Sequence, residues 1–198
     1  MDDLAKTLDF FLEIDKLKGV ERRNHLADGS RVENTAEHSW HLGMAVAILA
    51  PFATEPVDLA RAITMALVHD IVEIDAGDTF AYDEDSSKAA REEAAADRLF
   101  GLLPPAMGEH LRGLWEEYER GDTAEGRLVM AVDRLAPMML NLAEGGTTWR
   151  EHGIDHDRVV ARNARFVTAA LPGVWARVQE DLATAAADGR LAPGASSA

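Results

Sequence analysis

Residues 59–78 read LARAITMALVHDIVEIDAGD, an apolar run over 59–72 that closes on His69-Asp70, with Glu73 three positions further on. Apolar residues recur here at helical spacing, which predicts a helix over about residues 57–76 with Gly77 as its C-cap. On such a helix Ile63, Ala66, Asp70 and Glu73 form one line and Ala62, Met65, His69 and Glu73 its neighbour. Glu73 therefore lies one turn beyond both members of the His-Asp pair and on their side. An imidazole beside a carboxylate on one short stretch of backbone suits a borderline divalent metal with N and O ligands.

The rest of the chain is read around this helix. Leu4, Leu8, Phe11, Leu12 and Ile14 give a first amphipathic helix to about Lys18, and the polar residues 20–33, with Asp28-Gly29-Ser30, read as a loop. Asn34 or Thr35 caps a second helix to about Ala50, with Glu37 or His38 near the capping-box position. Its residues 42–50 are apolar almost all round, as expected of a central buried helix. Beyond an acidic loop at 78–87, Ser86 or Ser87 caps an Ala- and Glu-rich helix to about Phe100. Pro104-Pro105 opens another to about Arg120, and Thr123 one to about Ala143. Gly145-Gly146 starts a loop, two last helices fill 155–171 and 172–187, and a disordered tail is expected over 188–198. With no strand run, repeat or linker, the chain is expected to be all-α, one bundle of about seven to eight helices over residues 1–187.

Composition narrows the function. A length of 198 residues suits one domain with a sizeable core, and 47% hydrophobic with 28% charged residues is ordinary for a globular protein. No apolar stretch reaches the roughly 18 residues of a membrane span, and Met1-Asp2-Asp3 lacks the basic start of a signal peptide, so a cytoplasmic protein without a membrane partner is expected. The absence of cysteine excludes disulfides, thiolate metal sites and thiol nucleophiles. A net charge of -15 argues against a nucleic acid polymer as partner. A small anionic substrate remains open, because Lys16, Lys18, Arg22, Arg23 and Arg31 concentrate positive charge in one stretch.

Further polar residues join the His-Asp pair. On the second helix His38, Leu42, Ala45 and Leu49 form a stripe, so His38 faces inward, which is costly unless something satisfies it. His41 lies one turn away, and periodicity does not choose between the two. Each residue has a structural alternative: a hydrogen-bonded core histidine, an Asp70 paired with an arginine, an Asp133 paired with Arg134 on a helix surface. His25, His110, His152 and His156 fall in loops or on polar faces and are taken as structural. The joint pattern points to a metal-dependent hydrolase.

That pattern, His38 … His69-Asp70 … Asp133, resembles the H…HD…D signature of the HD-domain metal-dependent phosphohydrolases. The blocks ENTAEHS at 33–39 and HDIVEIDAGD at 69–78 resemble the branch that contains the bacterial 5'-deoxynucleotidases. Asp28-Gly29-Ser30-Arg31 and Gly145-Gly146 with Trp149-Arg150-Glu151-His152-Gly153 look typical of one subgroup, and the resemblance covers roughly residues 5–170. It implies a helical fold with a central site in which His38, His69, Asp70 and Asp133 hold one divalent ion. The ligand set is compatible with Mn2+, Co2+, Fe2+, Ni2+ or Zn2+. It also implies a homodimer, and Glu73 as general acid/base. Asp78 is expected to position water or a sugar hydroxyl, although a turn or N-cap aspartate reads equally well.

The resemblance further implies an arginine before the ENxxEH block as phosphate clamp. Spacing permits Arg22 or Arg23, and Arg22 is preferred. The tryptophan that the nucleotidase pattern places directly after that arginine is here Arg23 or Asn24, a departure that leaves 2'-deoxy selectivity open. Trp40 and Trp149 are candidates for a nucleoside pocket, with a core position the more natural place for Trp40. The expected activity is removal of phosphate from nucleoside 5'-monophosphates or a related small phosphomonoester. The alternatives are a catalytically weak metal- and nucleotide-binding regulatory module, and hydrolysis of diphosphate or cyclic nucleotides.

Overall fold

A computed structural model describes residues 2–83 and 86–194. The long helices are α1 (Asp3–Glu13), α2 (Thr35–Leu49), α3 (Leu59–Val68), α5 (Lys88–Phe100), α6 (Pro105–Arg120), α7 (Ala124–Glu144), α9 (His156–Ala170) and α10 (Pro172–Ala187). Two single-turn helices, α4 (Glu73–Ala76) and α8 (Thr147–Glu151), complete the set among the described residues. The central element is α7, which packs against α2, α3, α6 and α9. Its buried residues Leu128, Val129, Val132, Leu135 and Met138 meet Leu42 and Val46 of α2 and Ala62, Met65 and Ala66 of α3 in the main core. A second core of Phe10, Val68, Val72, Leu99, Phe100 and Trp115 lies under α1 and α5. The all-α expectation holds, with one small exception.

That exception is the segment expected to be a loop. Residues Glu21–His25 (β1) and Val32–Asn34 (β2) form an antiparallel hairpin, with Glu21 opposite Asn34 and His25 opposite Val32. The Asp28 carboxylate accepts the Ser30 N–H at 2.9 Å, and Gly29 turns the chain at φ +70°. β1 reads ERRNH and carries no apolar alternation for a sequence reading to detect. What buries it is its packing against α7 and α8.

Three further expectations are corrected. The helix predicted over 57–76 breaks after Val68, where the Ile71, Glu73, Ile74 and Asp75 N–H groups bond carbonyls three residues back. That tighter winding stacks residues i and i+3, which sets Asp70 and Glu73 over one another. The α2 helix is buried on one face only: Trp40 and Ile48 are each 65% exposed, so Trp40 is neither core nor pocket wall. Residues 188–194 are not a loose tail, because Leu191 is fully buried and the Ala192 carbonyl accepts the His156 N–H at 2.9 Å. Residues 195–198 lie outside the described residues. No described helix is long and apolar enough to cross a membrane.

Candidate metal centre

Local capping rules place His38. Asn34 accepts the Glu37 N–H at 3.0 Å, and the Glu37 carboxylate accepts the Asn34 N–H at 3.1 Å, closing a capping box that fixes the start of α2. His38 is then one turn into the helix on its buried face, fully enclosed, whereas His41 points to solvent. His69 caps the C-terminal end of α3, where its Nδ1–H donates to the Ala66 carbonyl at 2.8 Å. That bond occupies Nδ1 and turns Nε2 toward the cluster. Asp133 projects from the middle of α7. Pro137, four residues on, has no N–H for the Asp133 carbonyl, so the helix lacks one rung at this turn.

Four side chains from three elements converge. His38 Nε2 is 3.0 Å from Asp133 Oδ1 and 3.8 Å from Asp70 Oδ2. His69 Nε2 is 3.0 Å from Asp70 Oδ2 and 3.8 Å from Asp133 Oδ1. Ligand atoms about 2.1 Å from one shared ion stand ~3.0 Å apart at right angles and somewhat further in wider arrangements, so the donors of His38, His69 and Asp133, all within 4.8 Å of one another, fit a single cation, with Asp70 Oδ2 beside His69. The buried His69 Nε2 faces Asp70 Oδ2 at 3.0 Å without a hydrogen bond of regular geometry. An orphaned imidazole nitrogen among carboxylate oxygens is the chemistry a divalent metal satisfies.

The surrounding residues support that donor set. Tyr118 donates its hydroxyl to Asp133 Oδ2 at 2.9 Å, which leaves Oδ1 for the cluster. Glu33, 2% exposed, brings Oε1 to 3.7 Å from His38 Nδ1 and 3.3 Å from Arg22 Nε. Thr35 Oγ1 donates to Glu73 Oε2 at 2.9 Å. The sequence assigns no place in the site to Tyr118, Glu33 or Thr35. Glu33 and Thr35 stand inside the ENTAEHS block quoted for the resemblance, and that is the signal that could have found them. Tyr118 carries no sequence signal, because only the packing of α6 on α7 brings it to Asp133.

Arg22 and Arg23 separate by strand alternation. Arg22 faces inward with its side chain 11% exposed, its Nη1 3.1 Å from Asp70 Oδ2 and 3.5 Å from Asp78 Oδ1. Arg23 faces outward and lines only the rim of the adjoining cavity. That cavity, about 640 Å3, is bordered by Arg22, Asp78, Asp133, Tyr118 and Trp149, so of the two tryptophans only Trp149 reaches it.

Burial and charge set the protonation states. Burial raises Asp70, but the His69 imidazole and Arg22 outweigh it and hold Asp70 at about 2. Burial likewise opposes ionisation of Asp133, and His38, His69 and Arg22 bring it well below the usual carboxylate range. Burial works against His69 too, yet Asp70 and Asp133 lift it to about 9. His38 goes down, because burial and the Arg22 charge disfavour its cation. Glu73 is pushed up to about 9, by burial and by the Asp70 carboxylate. Glu33 rises to about 7 through burial, with Arg22 opposing.

Comparison with known proteins agrees with this geometry. Residues 14–175 match the family described as HD domain. The 5'-deoxynucleotidase HDDC2 of Homo sapiens is 29% identical over 140 residues, covering 69% of this chain and 67% of that protein. The Bos taurus protein of the same name is 30% identical over 140 residues, covering 69% and 66%. The chain thus spans about two thirds of the length of these relatives. The crystal structure of a predicted metal-dependent phosphohydrolase from Magnetospirillum magnetotacticum MS-1 superposes with a TM-score of 0.91 at 43% identity, covering 96% of this chain and 99% of that one. A Pyrococcus horikoshii protein shares the fold at 20% identity, with a TM-score of 0.69 over 88% of this chain and 99% of that one. With 162 of its 198 residues matched, the chain belongs to the HD-domain family.

Proposed function

We propose that this phosphohydrolase removes phosphate from nucleoside 5'-monophosphates, with His38, His69, Asp70 and Asp133 holding one divalent ion. The observation that carries the reading is the clustering of two imidazoles and two carboxylates beside a buried arginine, of which Asp133 and Arg22 line a cavity of about 640 Å3. Lewis acidity toward a phosphate oxygen and a more acidic water are the chemistry a divalent ion supplies in such a site. Mn2+ and Co2+ are the ions to test first among those the ligand set accepts.

The chain's own groups divide the remaining work. Arg22, kept protonated by Asp70, Asp133 and Asp78 against the cost of burial, offers its guanidinium to the phosphate oxygens. Glu73 holds a proton on its carboxyl and exchanges it with water or the leaving oxygen, Thr35 fixing its other geometry. Asp78 orients Arg22 and presents an acceptor to a sugar hydroxyl or water. Trp149 closes the cavity wall where a nucleoside would sit.

The relatives named 5'-deoxynucleotidase support a nucleotide as substrate. A cytoplasmic homodimer belongs to the same reading. The apolar outer face of α2, with Trp40, Met44 and Ile48 exposed, supports a second copy as partner, and sedimentation equilibrium tests it. The function itself is tested by phosphate release from nucleoside monophosphates and sugar phosphates with several divalent ions. Nucleotide turnover that chelation abolishes is the expected result. Equal turnover by metal-free protein would overturn the mechanism, and Glu73→Gln with full kcat would overturn the role of Glu73. Retained metal and nucleotide binding with no turnover under any ion would favour a regulatory module instead.

A further inference from the structure

The cavity extends well beyond what a phosphate and one ion occupy, and part of its wall is cationic. Arg134 follows Asp133 on α7, while Arg162 and Arg165 stand three apart on α9 with Phe166 beside them, all lining the cavity. The guanidinium carbons of Arg134 and Arg165 lie 3.8 Å and 4.3 Å from the Phe166 ring centroid, and that of Arg162 lies 5.3 Å from the Tyr82 centroid. Arg134 is half-buried, and its Nε is sealed from solvent without a hydrogen-bond partner. Among the described residues none of the three forms an ion pair, although the chain has 35 carboxylates for 20 lysines and arginines.

The carboxylates that line the same cavity are engaged elsewhere. Asp133 is held by His38 and Tyr118, and Asp78 by Arg22, while Glu119 lies toward Lys88. Stacking on Phe166 and Tyr82 orients the guanidiniums, and among the described residues their N–H donors have no carboxylate partner. A planar fork of donors over aromatic rings is suited to a phosphate or carboxylate.

We propose that Arg134, Arg162 and Arg165 receive a second anionic group of the substrate, remote from the phosphate at Arg22, so that nucleoside bisphosphates are the preferred class over simple monophosphates. This rests on the reading that the hydrolysed phosphate sits at Arg22 and the metal cluster.

The test measures phosphate release by metal-loaded protein from adenosine 5'-monophosphate and adenosine 3',5'-bisphosphate, and binding of both to metal-free protein by calorimetry. One charge-assisted contact is worth about 10- to 100-fold, so kcat/KM for the bisphosphate is expected to exceed that for the monophosphate by at least about tenfold. In R162Q/R165Q that ratio falls toward one, and the calorimetric preference falls with it. R134Q does the same; should it lose its fold by circular dichroism, the α9 pair, of which Arg165 is exposed, still decides the question. A ratio near one in the unaltered protein, or a preference that survives R162Q/R165Q, overturns the proposal. So does inorganic phosphate binding as tightly as the bisphosphate, or a purine-base preference among monophosphates lost in the same variants. If no monophosphate is hydrolysed at all, the proposed function fails instead, and calorimetry alone judges the second anion site.

Discussion

Tyr118→Phe isolates a single hydroxyl beside the candidate metal centre. The phenyl ring keeps its edge contact with His69, 5.0 Å between centroids, so the variant removes only the 2.9 Å bond to Asp133 Oδ2. A hydrogen bond to a buried carboxylate contributes about 1.5–3 kcal/mol. The resulting destabilisation of about 2 kcal/mol lowers Tm by roughly 4–8 °C for a domain of this size. Freed of that anchor, Asp133 turns away from His38, and loss of such an outer partner weakens metal binding about 10- to 100-fold. Differential scanning calorimetry and titration calorimetry with Mn2+ or Co2+ read the two effects. Unchanged Tm together with metal affinity within about twofold of the parent protein would refute the positioning role assigned to Tyr118.

Other perturbations give equally definite outcomes. His69→Ala should abolish metal binding and turnover together while the helical circular dichroism persists; retained metal would remove His69 from the ligand set. Because Asp70 and Asp133 lift His69 to about 9, metal loading at pH 7 must displace its proton, so the titration enthalpy should depend on the ionisation enthalpy of the buffer. Glu37 is held at about 2 by Arg31 and the Asn34 N–H, below its unfolded value, so the stability it contributes is present above about pH 4.3 and is lost as pH falls toward 2. Arg31→Ala should flatten that acid limb of a Tm-versus-pH curve, modestly, since the pair is solvent-exposed. Leu42→Ala, at a fully buried site between α2 and the main core, should cost about 2–5 kcal/mol in urea unfolding.

The comparison of sequence with structure separates two kinds of information. Helical periodicity, the Asn34 capping box, Gly77 after the last turn of the His-Asp segment and the prolines opening α6 and α10 are local signals. They predict most helices closely, because capping and amphipathic burial act within a few residues of the chain. The helix break after Val68 and the β hairpin escaped such a reading. The first depends on a switch to i+3 bonding that no residue type announces, and the second on docking against α7.

The site divides along the same line. The order and spacing of the H…HD…D residues carried the resemblance that implies two histidines and two aspartates as a set, with Glu73 and an arginine near them, a donor combination that suits a borderline divalent metal. His38 and Arg22, taken from the resemblance, lie on the buried faces of their elements, whereas His41 and Arg23 are exposed, a difference that packing decides. Tyr118, which anchors Asp133, Glu33, which lies beside His38 and Arg22, and the arginines facing one another across α7 and α9 became visible only in three dimensions. Their partners lie on other elements, and contacts of that kind leave no pattern along a single chain.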